Sequence, residues 1–388
     1  SGNLKEEALG DLVTFTVSLT AIPSSDVIIN FSGNDSTEAT IVNPTVTFNS
    51  TNWNIPQTIN LQVVDDFIFD ENQTSTITGS VSSSSDASFT GAADKSVDVI
   101  TEDNEVVDII VNVLDNLTSE SGDTGSFEIN LTTEPLSDVF IELTSTNELE
   151  GVLSTSIISF NATNWNIPQV VIVTGVDDDP PVSDGAADYI IVTGNVSSTD
   201  DNYGLLDGST VDDVNMSNQD NDSPGIILTV LNDDFSTSES GDYVVVQFSL
   251  LSKPDGGESV TIPLSLDGPA NEMDLSADSI TILADNWDNP SSNVVTITGI
   301  DELFADGNQE LILITGDPTS VSPFYDAIGA DDVSNPTLTN EDDDVAQIVF
   351  NLSDNVSENG TTSILSVSLT SAINTDVFLN FTVADNTE

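Results

Sequence analysis

The sequence predicts an all-β chain, a tandem array of seven-stranded antiparallel β-sandwich domains, and three observations carry that expectation. Apolar and polar residues alternate at period two, as in Val13, Phe15, Val17 and Leu19 set between Thr14, Thr16 and Ser18, the pattern of a half-buried strand. Helix signals are absent, whereas β-branched runs such as Val170-Val171-Ile172-Val173 and Val294-Val295-Thr296-Ile297-Thr298 recur between clusters of Gly, Asn, Asp, Ser and Pro. The chain also repeats itself: Thr51-Asn52-Trp53-Asn54-Ile55-Pro56-Gln57 returns as Thr163-Asn164-Trp165-Asn166-Ile167-Pro168-Gln169 and, more loosely, as Asp285-Asn286-Trp287-Asp288-Asn289-Pro290.

The repeats set the boundaries. Ser18-Leu19-Thr20 through Asp26-Val27 recurs at Leu131 to Asp138-Val139 and at Ser368-Leu369-Thr370 through Asp376-Val377. Units of 105 to 122 residues follow, over 1–105, 106–222 and 223–344, with a partial fourth over 345–388. The fourth stops at the equivalent of Glu38, so a fragment of a longer protein is expected. About seven short strands in ~110 residues suit a sandwich. Within each unit the tryptophan marks the corner where a loop enters a core strand, with Pro56, Pro168 and Pro290 fixing the approach. One such residue per unit at the same place reads as packing, with carbohydrate stacking as the alternative.

Composition narrows function. Sixty-seven acids against three lysines, with no arginine or histidine, give a formal charge of −64 on 388 residues, which repels nucleic acid and anionic membranes. With 37% hydrophobic residues in alternating runs, ordered domains that need counter-ions are expected rather than a disordered acidic chain. No run approaches the ~20 apolar residues of a spanning helix, so no direct membrane insertion is expected. Absence of cysteine removes disulfides, thiolate metal sites and a cysteine nucleophile, and absence of histidine removes the commonest general base. Two carboxylates alone suffice for glycoside cleavage. The acids recur in every unit, however, as structural features do, so no enzymatic activity is expected. Their gathering into short clusters suits an extracellular, bacterial cell surface.

Three acidic groups recur per unit: an acid before the first strand, a cluster after the tryptophan-led strand, and a cluster at the exit. Calcium takes six to eight oxygens at ~2.3–2.6 Å and needs neither nitrogen nor sulfur. Adjacent carboxylates ~4 Å apart repel by roughly 1 kcal/mol even at the dielectric of water. Three lysines cannot neutralise such clusters, whereas a divalent cation can. The plainer reading is that these runs are solvated turns, since Asp and Asn favour turns and acids keep a chain soluble.

A Ser-Glu-x-Gly opening, an Asp-Asp or Asp-Glu loop followed by Asp-Gly, and an acidic terminal triplet together resemble Calx-beta domains, a family that includes sodium/calcium exchanger modules and bacterial surface adhesins. The resemblance covers the three complete units and the opening of the fourth. It implies a seven-stranded, immunoglobulin-like sandwich with Ca2+ at one end, where loops meet the terminal acidic linker. By position it implies the metal ligands Glu7, Asp65, Asp66, Asp70 and Asp103 in unit one. In unit two it implies Glu120, Asp177, Asp178, Asp179, Asp184, Asp220 and Asp222, with a carbonyl from Asn221. In unit three it implies Glu239, Asp301, Glu302, Asp306, Asp342, Asp343 and Asp344, and Glu358 opens the fourth. Two departures stand out: Glu6-Glu7-Ala8-Leu9-Gly10 is offset by one residue, and Asn147-Glu148-Leu149-Glu150 replaces an aspartate that the family often carries before an aromatic.

The function expected is a calcium-rigidified stalk or filament segment of a large extracellular surface adhesin serving cell adhesion, gliding-type adhesins included. The alternative is a set of noncatalytic spacer modules in a large secreted enzyme. Partners are then neighbouring repeats of the same chain, other copies in a filament, or a surface ligand bound elsewhere in the full protein. Self-assembly by donated strands would require an unpaired strand edge. The sequence does not reveal one.

Overall fold

The structure, a computed structural model, describes residues 3–6, 12–33, 35–357, 359–382 and 384. Glu7 and Glu358 therefore lie outside the described residues. The chain divides into two compact units, Ser1–Val176 with Asp188–Asn218, and Asp177–Ala187 with Gln219–Glu388.

The first unit holds two sandwiches. The first is built from β1 (Asn3–Lys5), β2 (Leu12–Val17), β3 (Val27–Gly33), β4 (Ala39–Ile41), β5 (Thr45–Phe48), β6 (Gln57–Val63), β7 (Gln73–Ser84) and β8 (Lys95–Glu102). They form a five-stranded sheet, β1-β8-β7-β3-β5, facing a three-stranded sheet, β2-β6-β4. Between the sheets Val27, Phe48, Ile59 and Leu61 are fully buried, each from an alternating strand.

The second sandwich uses β9 (Ile109–Asp115), β10 (Leu117–Ser119), β11 (Thr124–Leu131), β12 (Val139–Ser145), β13 (Gly151–Leu153), β14 (Ile157–Phe160) and β15 (Gln169–Gly175). After β16 (Val182–Ser183), which belongs to the second unit, it is completed by β17 (Ala187–Ser198) and β18 (Val214–Gln219). Its sheets are β10-β18-β17-β12-β14 and β13-β15-β11-β9. Strand β11 sends Phe127, Ile129 and Leu131 inward and Ser126, Glu128 and Asn130 outward, and the inward set is sealed from solvent.

The second unit holds the third sandwich: β19 (Ile226–Val230), β20 (Ser236–Ser238), β21 (Tyr243–Leu250), β22 (Lys253–Pro254), β23 (Val260–Asp267), β24 (Met273–Leu275), β25 (Ser279–Ile282), β26 (Val294–Gly299), β27 (Gln309–Thr315), β28 (Thr319–Ser320) and β29 (Thr337–Glu341). A sheet β20-β29-β27-β23-β25 faces a sheet β19-β21-β26-β24, and β22 pairs in parallel with β16. Beyond it, β30 (Ile348–Leu352) and β31 (Leu365–Leu369) form an antiparallel pair.

The seven-strand plan holds because two strands are each divided between the sheets. β9 and β10 are one entry strand broken at Asp115, whose carboxylate accepts the Leu117 N–H at 3.1 Å; β13 and β14 are likewise one strand in two halves. The third sandwich divides β19 from β20 and β24 from β25 in the same way. The second half of the entry strand then runs parallel to the exit strand, with Lys5 opposite Glu102 and Ser238 opposite Glu341. Parallel neighbours finish at the same end of a sheet. Entry and exit acids are thereby brought to one place.

The tryptophans serve the corner. Trp53, Trp165 and Trp287 each offer a backbone carbonyl to the N–H of Leu19, Leu131 and Leu250, at 2.8 Å in all three, and the rings of Trp165 and Trp287 pack against their cores.

Candidate metal centres

The acidic loops are assembled by one recurring arrangement. A glutamate just before the short fourth-strand segment, Glu38, Glu150 or Glu272, gives its backbone carbonyl to the N–H of Val64, Val176 or Ile300, at 2.9, 3.1 and 2.8 Å. The next residue in each case is the first acid of the loop: Asp65, Asp177 or Asp301. The exit aspartate then ties the loop to the linker. Asp103 Oδ2 accepts the N–H groups of Asp70 and Glu71 at 3.0 and 2.7 Å, and its Oδ1 accepts Glu105 N–H at 2.9 Å. Asp220 does the same for Asp184, Gly185 and Asp222, at 3.1, 2.7 and 2.6 Å. Asp342 takes Gly307 at 2.6 Å and Asp344 at 2.8 Å. In every loop one of the donors sits in a left-handed bend, since Glu71, Gly185 and Gly307 all have positive φ.

In the first sandwich Glu6, which is 3% exposed, follows β1 and donates its N–H to Glu102. Oxygens of Glu6, Asp103 and Glu105 all lie within 4.8 Å of one another. Burial, then the charges of Glu38, Glu105, Asp103 and Asp66, push the Glu6 carboxyl up to about 8. Burial and Asp70 raise Glu38, and burial and Asp103 raise Asp70. The half-buried Asp65 and Asp66 complete the loop, and Asp66 caps it by accepting Ile68 N–H at 2.8 Å.

In the third sandwich Glu239, also 3% exposed, holds the place of Glu6, and its oxygens lie within 4.8 Å of those of Asp301 and Asp343. Burial first, then Asp342, Glu302 and Asp343, push it up to about 7 against a lowering hydrogen bond from Asp343 N–H. Glu302 is raised by burial, then by Asp306 and Glu272, and Asp344 by burial, then by Asp342, Asp343 and Asp301.

The remaining expected ligands divide between the units. Glu120 follows β10 in the first unit and is buried. In the second unit the segment 177–187 meets the linker, where Asn221 donates to Asp177 at 3.2 Å and Asp222 is raised by burial, then by Asp220 and Asp177. Asp178 and Asp184 are half-buried, while Asp179 faces solvent beside Pro180.

The residues present fit a hard divalent cation. All donors are oxygens, and oxygens sharing one calcium at ~2.3–2.6 Å lie at most ~5 Å apart, the spacing found here. Buried carboxylate oxygens of Glu6, Glu38, Glu105, Asp222, Glu302 and Asp344 have no hydrogen-bond partner, a costly state that a cation relieves.

Glu6, Glu38, Glu105, Glu150 and Glu272 were not among the residues expected from the sequence. Signals for three of them are visible in it: a glutamate precedes the short strand segment in every repeat, at Glu38-Ala39, Glu150-Gly151 and Glu272-Met273. Glu105 stands two residues after Asp103, as Asp222 follows Asp220 and Asp344 follows Asp342. Glu6 emerges only from the pairing of β1 with β8.

No protein-family model matches the chain, and no curated protein matches it. Among solved structures it is similar to calcium binding domain CBD12 of CALX1.1, at 12% identity and a TM-score of 0.26, covering 51% of this chain and 79% of that one. It is also similar to the D0-D1 domain of intimin, at 15% identity and a TM-score of 0.19, covering 55% and 93%. Domains 4–9 of the surface layer protein SbsC match at 12% identity and a TM-score of 0.23, covering 89% and 49%. At these scores the likenesses add nothing to what the sheets themselves establish.

Proposed function

We propose that the chain is a noncatalytic, calcium-binding stretch of an extracellular stalk, part of a large bacterial surface adhesin, in which each acidic loop both gathers carboxylates and engages the following repeat. One recurring observation carries this reading. Phe67 C=O accepts the N–H of Glu134 at 2.7 Å within the first unit, Pro181 C=O accepts that of Lys253 at 2.8 Å within the second, and Leu303 C=O accepts that of Ala372. The three acceptors stand three residues before Asp70, Asp184 and Asp306, and the three donors three residues after Leu131, Leu250 and Leu369. The same short loop thus carries the acids and makes the junction. At the first junction the rings of Phe67 and Trp165 add a contact at 5.7 Å.

Bound calcium would supply the positive charge that the crowded carboxylates lack. The chain's own part is to hold those carboxylates together: Asp103, Asp220 and Asp342 fix the loops by backbone hydrogen bonds, and Glu6 and Glu239 present buried oxygens. Thermal unfolding in millimolar calcium and in chelator tests the reading. A ligand at 100 times its dissociation constant adds ~2.7 kcal/mol to the native state. An upward shift in melting temperature that Asp177→Asn with Asp220→Asn diminishes supports it; the absence of a shift leaves the acids as solvated turns and overturns it. Stiffness is read separately, by small-angle scattering of the chain with and without calcium.

A further inference from the structure

One buried amide recurs in two of the three sandwiches. Asn218 of β18 and Asn340 of β29 each stand two residues before an exit aspartate, and both are 1% exposed. Asn218 Nδ2 donates to Glu150 Oε2 at 3.1 Å and to Val176 C=O at 3.0 Å, and its Oδ1 accepts the Thr118 hydroxyl at 2.9 Å. Asn340 repeats the set with Glu272 Oε2 and Ile300 C=O, both at 3.5 Å, and with the Thr237 hydroxyl at 2.9 Å. A carboxylate and a carbonyl only accept, so the amide nitrogen has to face them and its oxygen the threonine. Val176 and Ile300 immediately precede the first acids of their loops, Asp177 and Asp301, and Thr118 and Thr237 stand two residues before Glu120 and Glu239. A single side chain thus grips the root of an acidic loop, the glutamate beside it and the entry strand.

The residues around the amide change together from repeat to repeat. A Cβ at Gly175 or Gly299 would lie 2.5 Å from Oδ1 of Asn218 or Asn340, so the amide needs a glycine beside it. In the first sandwich Thr101 holds the place of the asparagine, Val63 that of the glycine, and Leu4, opposite Thr101, that of the threonine. No amide then reaches the glutamate, and Thr101 Oγ1 and Glu38 Oε2 are left buried without a hydrogen-bond partner. The first sandwich nevertheless builds the same five-stranded sheet, β1-β8-β7-β3-β5 against β20-β29-β27-β23-β25. The fold itself does not demand the amide.

We propose that Asn340, with Asn218 in the same place, is a positioning residue for bound calcium: it holds the neighbouring glutamate carboxylate in one orientation at the base of the acidic loop without touching the cation, an inference that rests on the calcium reading above. A carboxylate taken out of water needs donors to replace its hydration, and the amide N–H groups supply them. Glu272 stands close enough to the loop for its charge to help raise the Glu302 carboxyl. Outer partners that orient a metal's ligands typically alter affinity ~10–100-fold when removed.

The test is calcium titration of the intact chain, read by hydrogen exchange at the loop amides 66–73 of the first sandwich and 302–308 of the third. Asn340→Thr installs the residue that the first sandwich uses. The expected result is a calcium midpoint about tenfold or more higher at the third loop, with the first loop unchanged. In a Glu272→Gln background the same substitution should add little, because the amide acts through that carboxylate. An unchanged midpoint overturns the proposal, and so do additive losses in the double variant, which mark a packing role. Thr237→Val, which removes only the hydroxyl that orients the amide, decides the matter if Asn340→Thr does not fold: a midpoint about threefold higher is expected, and an unchanged one overturns the proposal. If no loop of the unaltered chain responds to calcium, the calcium reading itself fails and the positioning role falls with it.

Discussion

The carboxylates of this chain divide into two kinds by what their oxygens touch. Asp103 accepts three backbone N–H groups and is a structural acceptor before it is anything else. Hydrogen bonds to a charged acceptor contribute ~1.5–3 kcal/mol each when a partner is lost, so Asp103→Ala should lower the stability of the first sandwich by about 2 kcal/mol or more in chelator. Denaturant unfolding measures it, and Asp103→Asn should recover part of the loss by keeping one acceptor oxygen. Glu6 and Glu239 are the other kind, buried among like charges. Their carboxyls titrate near 8 and 7 in the folded chain against 4.5 as the ordinary value, so between those limits the folded state holds more protons than the unfolded one. Stability in chelator should therefore fall as pH rises from about 4.5 towards 8, the opposite of the slope given by an ion-paired acid. Glu6→Gln should flatten the decline in the first sandwich. Calorimetry across that range decides the matter, and a rising or level profile for the native chain would contradict the crowding described here.

At the scale of elements, the divided entry strand explains both the sites and a demand for glycine. Gly175 and Gly299 sit where the split strand crosses the sandwich, and a Cβ on either would lie 2.1 Å from the Ser119 carbonyl oxygen or 2.2 Å from that of Ser238. Gly299→Ala should thus force β20 away from β26 and lower the melting temperature of the third sandwich, disturbing Glu239 at the end of β20 at the same time. The Ser-Glu-x-Gly motif has a local reason too: Gly122, Gly241 and Gly360 have φ of 86, 90 and 84° and send their N–H groups back to Ser119, Ser238 and Ser357. A side chain in that left-handed conformation costs ~1–2 kcal/mol, so Gly241→Val should destabilise by that amount in urea unfolding. The motif was legible in the sequence because it is a turn. The convergence of Glu6 on Asp103 was not, because it depends on β1 running parallel to β8 across nearly the whole repeat.

For the whole molecule, the three buried clusters share no residue, so unfolding should proceed in more than one step rather than as a single two-state transition. The first sandwich, with β2 half-buried, should open earliest; hydrogen exchange should release the amides of β2 and β6 before those of β11 and β15. Added salt should raise the stability of the calcium-free chain, since the Debye length shortens from ~8 Å at physiological ionic strength and 67 acids repel less. The sequence by itself determined that this chain is all-β, repeated, and acidic at fixed places in each repeat, because strand alternation, turn chemistry and self-similarity are local and can be read along the chain. Only the tertiary structure decided that Glu6 and Glu239 are buried among the acids and that Asp103, Asp220 and Asp342 hold loops in place. Those outcomes follow from register, from the division of strands between sheets and from long-range pairing, which no stretch of sequence specifies alone.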